Sequence, residues 1–220
     1  MQLEDIAVFV LFFRYNDHSN EREGIRMLHG VAVRSTELLR KREIIVSEKE
    51  KIYIYGFELL YSLLFSVGTM FVWSLLLGCT AQVSLFLLYF IPIRMAAGGY
   101  HAKTYGSCFF WSNVVTLASV MTAKLLWEVG SFRMELALWG LYLWAAVYIA
   151  RQAPVVSGKA PMKEELTARN KAIAIKMLTL GSISLIVIRI GVNNGLSYAG
   201  LIAICLVAFM IRITKEGGNS

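Results

Sequence analysis

YIYGFELLYSLLFSVGTMFVWSLLLG, residues 53–78, is longer than the roughly 20 residues a helix needs to cross a bilayer, and it carries a single charge, Glu58. That stretch reads as a transmembrane helix. Working outward, the same reading applies to Ala81–Ile93 continuing toward Ala97, Cys108–Trp127, Met134–Ala150, Ala172–Val192 and Leu196–Ile213. The chain is 57% hydrophobic and 17% charged, a balance that soluble domains rarely reach. A buried soluble core is the alternative, and the length of the apolar runs weighs against it. The sequence therefore predicts an all-α integral membrane protein of about six transmembrane helices. Very short connections follow the first, third and fifth spans, which pairs the helices into three hairpins.

Residues 1–52 differ from the rest. From Glu21 to Val46, apolar side chains fall at Ile25, Leu28, Val31, Ala32, Leu38, Leu39, Ile45 and Val46, mostly in three- and four-residue steps. Arg22, Arg26, Arg34, Arg40, Lys41 and Arg42 flank that face. The pattern fits an amphipathic helix lying on an anionic lipid surface. It fits equally a helix packed on the protein's own membrane bundle, and the two are compatible. The division is thus 1–52 as a cytoplasmic or interfacial amphipathic region, 53–213 as a polytopic membrane domain, and 214–220 as a cytoplasmic tail. Met1-Gln2-Leu3-Glu4-Asp5 is acidic where a secretory signal is basic, so no signal peptide is expected.

Charge sets the expected orientation. Nine of the 22 Lys and Arg precede residue 52. Arg94, Lys103, Arg151, Lys159, Lys163, Arg169, Lys171, Arg212 and Lys215 fall on the same side when the N-terminus is inside, against Lys124, Arg133 and Arg189 near outer ends. The positive-inside rule then puts both termini in the cytoplasm. It also accounts for the net charge of +7 without a nucleic-acid partner. Three cysteines cannot all pair, and Cys79 and Cys205 sit in apolar runs, so no disulfide framework is indicated.

The chemistry is expected between the second and third spans, in Arg94-Met-Ala-Ala-Gly-Gly-Tyr-His-Ala-Lys-Thr-Tyr-Gly-Ser-Cys108. A cysteine attacks as its thiolate, and a histidine can take its proton. On one straight helix, His101 and Cys108 would share a face but stand about 10.5 Å apart along the axis. Proton transfer needs about 3 Å or one bridging water. A dyad therefore requires the chain to turn between them. Gly98-Gly99 can end a helix, and Gly106-Ser107 is the expected turn, with Ser107 as N-cap of the third span. Cys108 would then lie in a first helical turn, where the helix terminus favours a thiolate and exposed N–H groups can hold an oxyanion. Only two soft ligands are close and no Cys-x-x-Cys occurs, so neither a metal nor any other cofactor is expected.

Arg94, Gly98, Gly99, His101, Ala102 and Cys108 resemble the core motif of the accessory gene regulator B family. Tyr55-Gly56-Phe57-Glu58 resembles that family's Tyr-Gly-x-Glu at the start of the first span. Ala153-Pro154-Val155 and the basic segment after it resemble the family's second cytoplasmic loop. Here the cations of that loop are spaced singly and mixed with Glu164 and Glu165, a departure from a dense basic cluster. The resemblance implies a membrane-embedded cysteine endopeptidase of a Gram-positive cell membrane that processes the precursor of a cyclic quorum-sensing peptide. It implies Cys108 as nucleophile, His101 as general base, and Glu58 and Arg94 in support; Gly99 of the motif supports the site or else serves close helix packing, and Ser107 supports it as the expected N-cap. Glu58 would orient His101 or pair with Arg94, or else be an interfacial carboxylate reaching water. Lys103, Lys159 and Lys163 would meet the acidic tail of a short amphipathic propeptide of the accessory gene regulator D type. Lipids and a second copy of the chain are the other implied partners. His18 and His29 read as ordinary polar residues of the N-terminal region. Two other functions fit six spans: a transporter, with Glu58 as a pathway residue, and a non-enzymatic membrane scaffold for a signalling partner.

Overall fold

The structure is a computed structural model that describes residues 17–45, 49–98, 105–155, 164–191 and 195–217. Among the described residues there are seven helices and no strand: α1 Asp17–Lys41, α2 Glu50–Leu76, α3 Thr80–Ala97, α4 Tyr105–Val129, α5 Phe132–Gln152, α6 Glu164–Gly191 and α7 Leu196–Gly217. The all-α membrane fold expected from the apolar runs is what is observed. Five helices, α2, α3, α4, α6 and α7, are long and apolar enough to cross a membrane. Helix α5 falls outside this group, although it covers the expected fourth span. Its interior carries Trp139, Tyr142, Trp144 and Tyr148, whose polar ring atoms dilute its hydropathy.

The described chain divides into two compact units. One contains α1, α2 as far as Thr69, and the first residues of α4 as far as Ser112; the other contains the remainder. In the first unit, α1 turns Ala32 and Thr36 inward, and both are fully buried. Ser35 and Tyr61 share a hydrogen bond of 2.7 Å between their hydroxyls, and His29 meets Glu58. These partners recur at three- and four-residue steps, so one face of α1 packs on α2. Met27, Val31 and Leu38 stay exposed on α1, which leaves apolar surface for lipid. Of the two expected uses of this helix, the contacts show the packing on the protein's own helices.

In the second unit, α7 is the central helix and packs against α3, α5 and α6. Its buried residues, Ala199, Leu201, Ala203, Ile204, Val207, Ala208 and Ile211, cover an arc of about 200° around the axis. By contrast, α5 buries only Leu138, Tyr142, Ala145 and Ile149, a single stripe. Lipid gives helices no hydrophobic reason to associate, so close approach by small residues and interhelical hydrogen bonds must do it. The ring of Tyr89 from α3 shows this. It lies between Gly181 of α6 and Gly200 of α7, and its hydroxyl bonds Ser184 at 2.6 Å. A parallel bond joins Tyr142 of α5 to Ser182 of α6. Near the far ends of the same helices, Arg189 grips Glu135 through two nitrogens at 2.5 and 3.0 Å, so neither charge is left uncompensated.

A Cβ on Gly200 would stand 2.5 Å from Leu185 Cδ2 and 2.8 Å from the Tyr89 ring. Gly200→Val is therefore expected to destabilise the detergent-solubilised protein by about 1–3 kcal/mol, the usual cost of overpacking. It should appear as a lower thermal midpoint. Gly68→Ala, at a position with nothing within 4 Å, is the control and should leave the midpoint unchanged or slightly raised.

Loop geometry follows from local chemistry. Gly78 adopts φ +61°, the left-handed conformation that ends a helix, and its N–H bonds the carbonyl of Leu75 at 3.3 Å. Only residues 77–79 connect α2 to α3, and only Gly130 and Ser131 connect α4 to α5.

Candidate active site

Cys108 is the fourth residue of α4 and is exposed. Cys79 is buried and Cys205 is partly covered, so Cys108 is the exposed thiol of the chain. The helix begins at Tyr105, three residues earlier than the expected start. Ser107 is thus inside the helix and is not its N-cap, and Gly106 is helical and is not the turn. Tertiary contact accounts for the difference. Tyr105 Oη donates to Glu58 Oε2 at 2.9 Å, and four residues on, the ring of Phe109 meets that of Phe65 with centroids 5.1 Å apart. Both contacts advance along α2 and α4 together, so these two helix starts run in the same direction. The first turn of α4 is fastened to α2 on both sides of Cys108, which extends the helix through a Gly-Ser pair of weak intrinsic propensity. Cys108 remains in the first turn, where backbone N–H groups lack intrahelical partners and the helix dipole is positive.

Glu58 joins two other elements of this unit through its carboxylate. Its Oε1 meets His29 Nδ1 at 2.6 Å and its Oε2 accepts from Tyr105. The Glu58 side chain is only 15% exposed. A carboxylate in an apolar helix needs such partners, and two of its four lone-pair sites are occupied here. The partners the sequence suggested were His101 and Arg94; the structure brings His29 and Tyr105 to it. Both were missed. Tyr105 was detectable as the residue three before Cys108 on the same helical face. His29 was detectable as the residue one step before Ala32 on the buried stripe of α1.

Arg94 lies in the last turn of α3. Its Nη1 donates to the carbonyl of Gly98 at 2.5 Å, and the N–H of Gly98 bonds back to the carbonyl of Arg94 at 3.0 Å. Gly98 also forms a parallel bridge with Val155, whose N–H donates to the carbonyl of Ala97 at 2.9 Å. A Cβ on Gly98 would stand 2.1 Å from the carbonyl oxygen of Val155. The start of the loop after α5 is thereby clipped to the end of α3, the point from which the His101 segment departs. Helix α3 ends at Ala97, and the described part of α4 begins at Tyr105. Gly99, His101, Lys103, Lys159 and Lys163 lie outside the described residues. Among the described residues, no cluster of three His, Cys, Asp or Glu is arranged to hold a metal.

The family model described as accessory gene regulator B matches residues 32–211. The chain belongs to the accessory gene regulator B family. The match runs from the buried stripe of α1 to the end of the buried part of α7, and so takes in Glu58, Arg94, Gly98 and Cys108. Membership implies a role in processing the autoinducer of the accessory gene regulator system, as a multi-pass membrane protein acting with a propeptide. The accessory gene regulator B family is generally one of membrane cysteine proteases. No curated protein and no solved structure matches the chain.

Proposed function

We propose that the chain is a membrane-embedded cysteine endopeptidase that removes the C-terminal tail of a short propeptide and retains the remainder as a thioester. The observation that carries this reading is the position of Cys108: an exposed thiol in the first turn of α4, three residues after the Tyr105 that bonds Glu58. His101 takes the thiol proton. The Cys108 sulfur then attacks a backbone carbonyl, helix N–H groups receive the oxyanion, and the C–N bond breaks as the proton passes to the leaving amine. An internal Cys or Ser of the propeptide next attacks the thioester carbonyl, the bond to Cys108 sulfur breaks, and a thiolactone or lactone leaves. Water must be kept from the thioester, and the internal nucleophile must be held close, which supplies a high effective molarity.

Arg94 and Gly99 shape the approach of the His101 segment, Ser107 lies in the oxyanion turn, and Lys103, Lys159 and Lys163 meet the acidic tail. The charge asymmetry of the loops supports a cytoplasmic location for Cys108 and both termini. The test is co-expression with a propeptide composed of an amphipathic leader, an internal Cys and an acidic tail, read by mass spectrometry. Released tail and a peptide lighter by one water relative to the linear cleavage product are expected. His101→Ala should lower tail release by about 10²- to 10⁴-fold, the contribution of a positioned base. Normal release from His101→Ala would sink its role as base.

A further inference from the structure

Glu58 is the one charge in the apolar stretch of residues 53–78, and its carboxylate is divided between two donors from different parts of the chain. One is Tyr105, which precedes Cys108 by three residues and so stands beside it on the same face of α4, one turn lower. The other is His29 on α1, whose ring is 57% exposed. Neither donor meets Cys108 directly. What they do is fix a turn: Tyr105 holds the start of α4 to α2 through Glu58, the Phe65–Phe109 pair holds the residue after Cys108, and His29 holds Glu58 in place. Removing His29 would free a carboxylate in an apolar setting to swing toward water and release Tyr105.

We propose that His29 and Tyr105 are positioning residues that act through Glu58 to set the place of the Cys108 sulfur. This rests on the cysteine peptidase reading. Nucleophilic attack tolerates little misplacement, since an error of about 1 Å costs on the order of 10²-fold in rate. Binding of the propeptide, by contrast, is spread over its leader and tail. The network should therefore act on kcat and leave KM in place.

The experiment uses the full chain in vesicles with a propeptide that the wild-type protein cleaves, and measures tail release against propeptide concentration. Tyr105→Phe, which removes only the hydroxyl, and His29→Leu should each lower kcat by about ten- to a hundredfold, with KM changed by less than about twofold. His29→Asn keeps a side-chain N–H where Nδ1 stands and should retain most of the wild-type kcat. The double variant Tyr105→Phe/His29→Leu should lose no more than the worse single variant, because both remove one network. The rate of Cys108 alkylation by a small iodoacetamide should change in the same three loss variants. A rise in KM at constant kcat, a His29→Asn chain as impaired as His29→Leu, or multiplicative losses in the double variant would overturn the proposal. Tail release that survives Cys108→Ala would remove the peptidase reading itself. Release that needs Cys108 but ignores Tyr105→Phe and His29→Leu would remove only the network.

Discussion

Cys108→Ala is expected to abolish tail release, a loss of about 10⁴- to 10⁶-fold as for other enzymes deprived of their nucleophile. The size of the effect follows from the absence of any substitute thiol. Cys79 is buried, and Cys205 lies on α7 among the buried residues of the second unit. Cys108→Ser is the more informative companion. Serine keeps the position in the first turn of α4, but its hydroxyl ionises far less readily than a thiol, and helix-terminus stabilisation cannot close that gap. It should therefore also lose nearly all release, while binding the propeptide as tightly as the wild-type protein. Intact-mass measurement supplies a positive signal. The wild-type chain, quenched in acid during turnover, should carry a propeptide adduct that neutral hydroxylamine removes, as a thioester requires. The adduct should be missing from both variants. A hydroxylamine-sensitive adduct on Cys108→Ala would place the acyl group on another residue and end the assignment.

The parts of this fold that could be read in advance are those dictated by the bilayer. A span must be about 20 apolar residues long, so α2, α3, α4, α6 and α7 announced themselves by length. The amphipathic α1 did so by its period. What local pattern could not supply was pairing. Nothing near Glu58 in sequence indicates His29, 29 positions earlier, or Tyr105, 47 positions later. Those contacts exist because α1 and α4 bring His29 and Tyr105 to α2, where Glu58 is the one charge of residues 53–78. The same cause moved the start of α4. Gly106-Ser107 is cap chemistry by local propensity, but a tyrosine hydroxyl and a phenyl ring anchored to α2 make that turn helical instead. Gly98 shows a similar split. Its capacity to end a helix was visible from residue type, whereas its partner Val155 belongs to a different loop.

Gly98→Ala should be the most damaging single-methyl change in the second unit. Two costs combine at this residue. The backbone has φ +74° and ψ −156°, a region essentially reserved for glycine, where a side chain costs about 1–3 kcal/mol. The added Cβ would also stand 2.1 Å from the carbonyl oxygen of Val155, and a backbone oxygen cannot rotate away as a side-chain tip can. Relief requires Val155 to lift from the end of α3, which breaks the bond from Val155 N–H to the Ala97 carbonyl and moves the carbonyl that Arg94 holds. The damage should be local, because the packing of α7 on α3, α5 and α6 involves other residues. Hydrogen exchange at the Val155 amide should rise toward that of an open loop, while amides of α7 keep their protection. Tail release should fall by on the order of 10²-fold, since Gly98 stands only three residues before the proposed base His101 in the chain. Gly140→Ala is the matched control: it adds the same methyl within α5, where nothing lies within 4 Å, and should change neither reading. A Gly98→Ala chain with a protected Val155 amide and wild-type release would show that the clip does not direct the His101 segment.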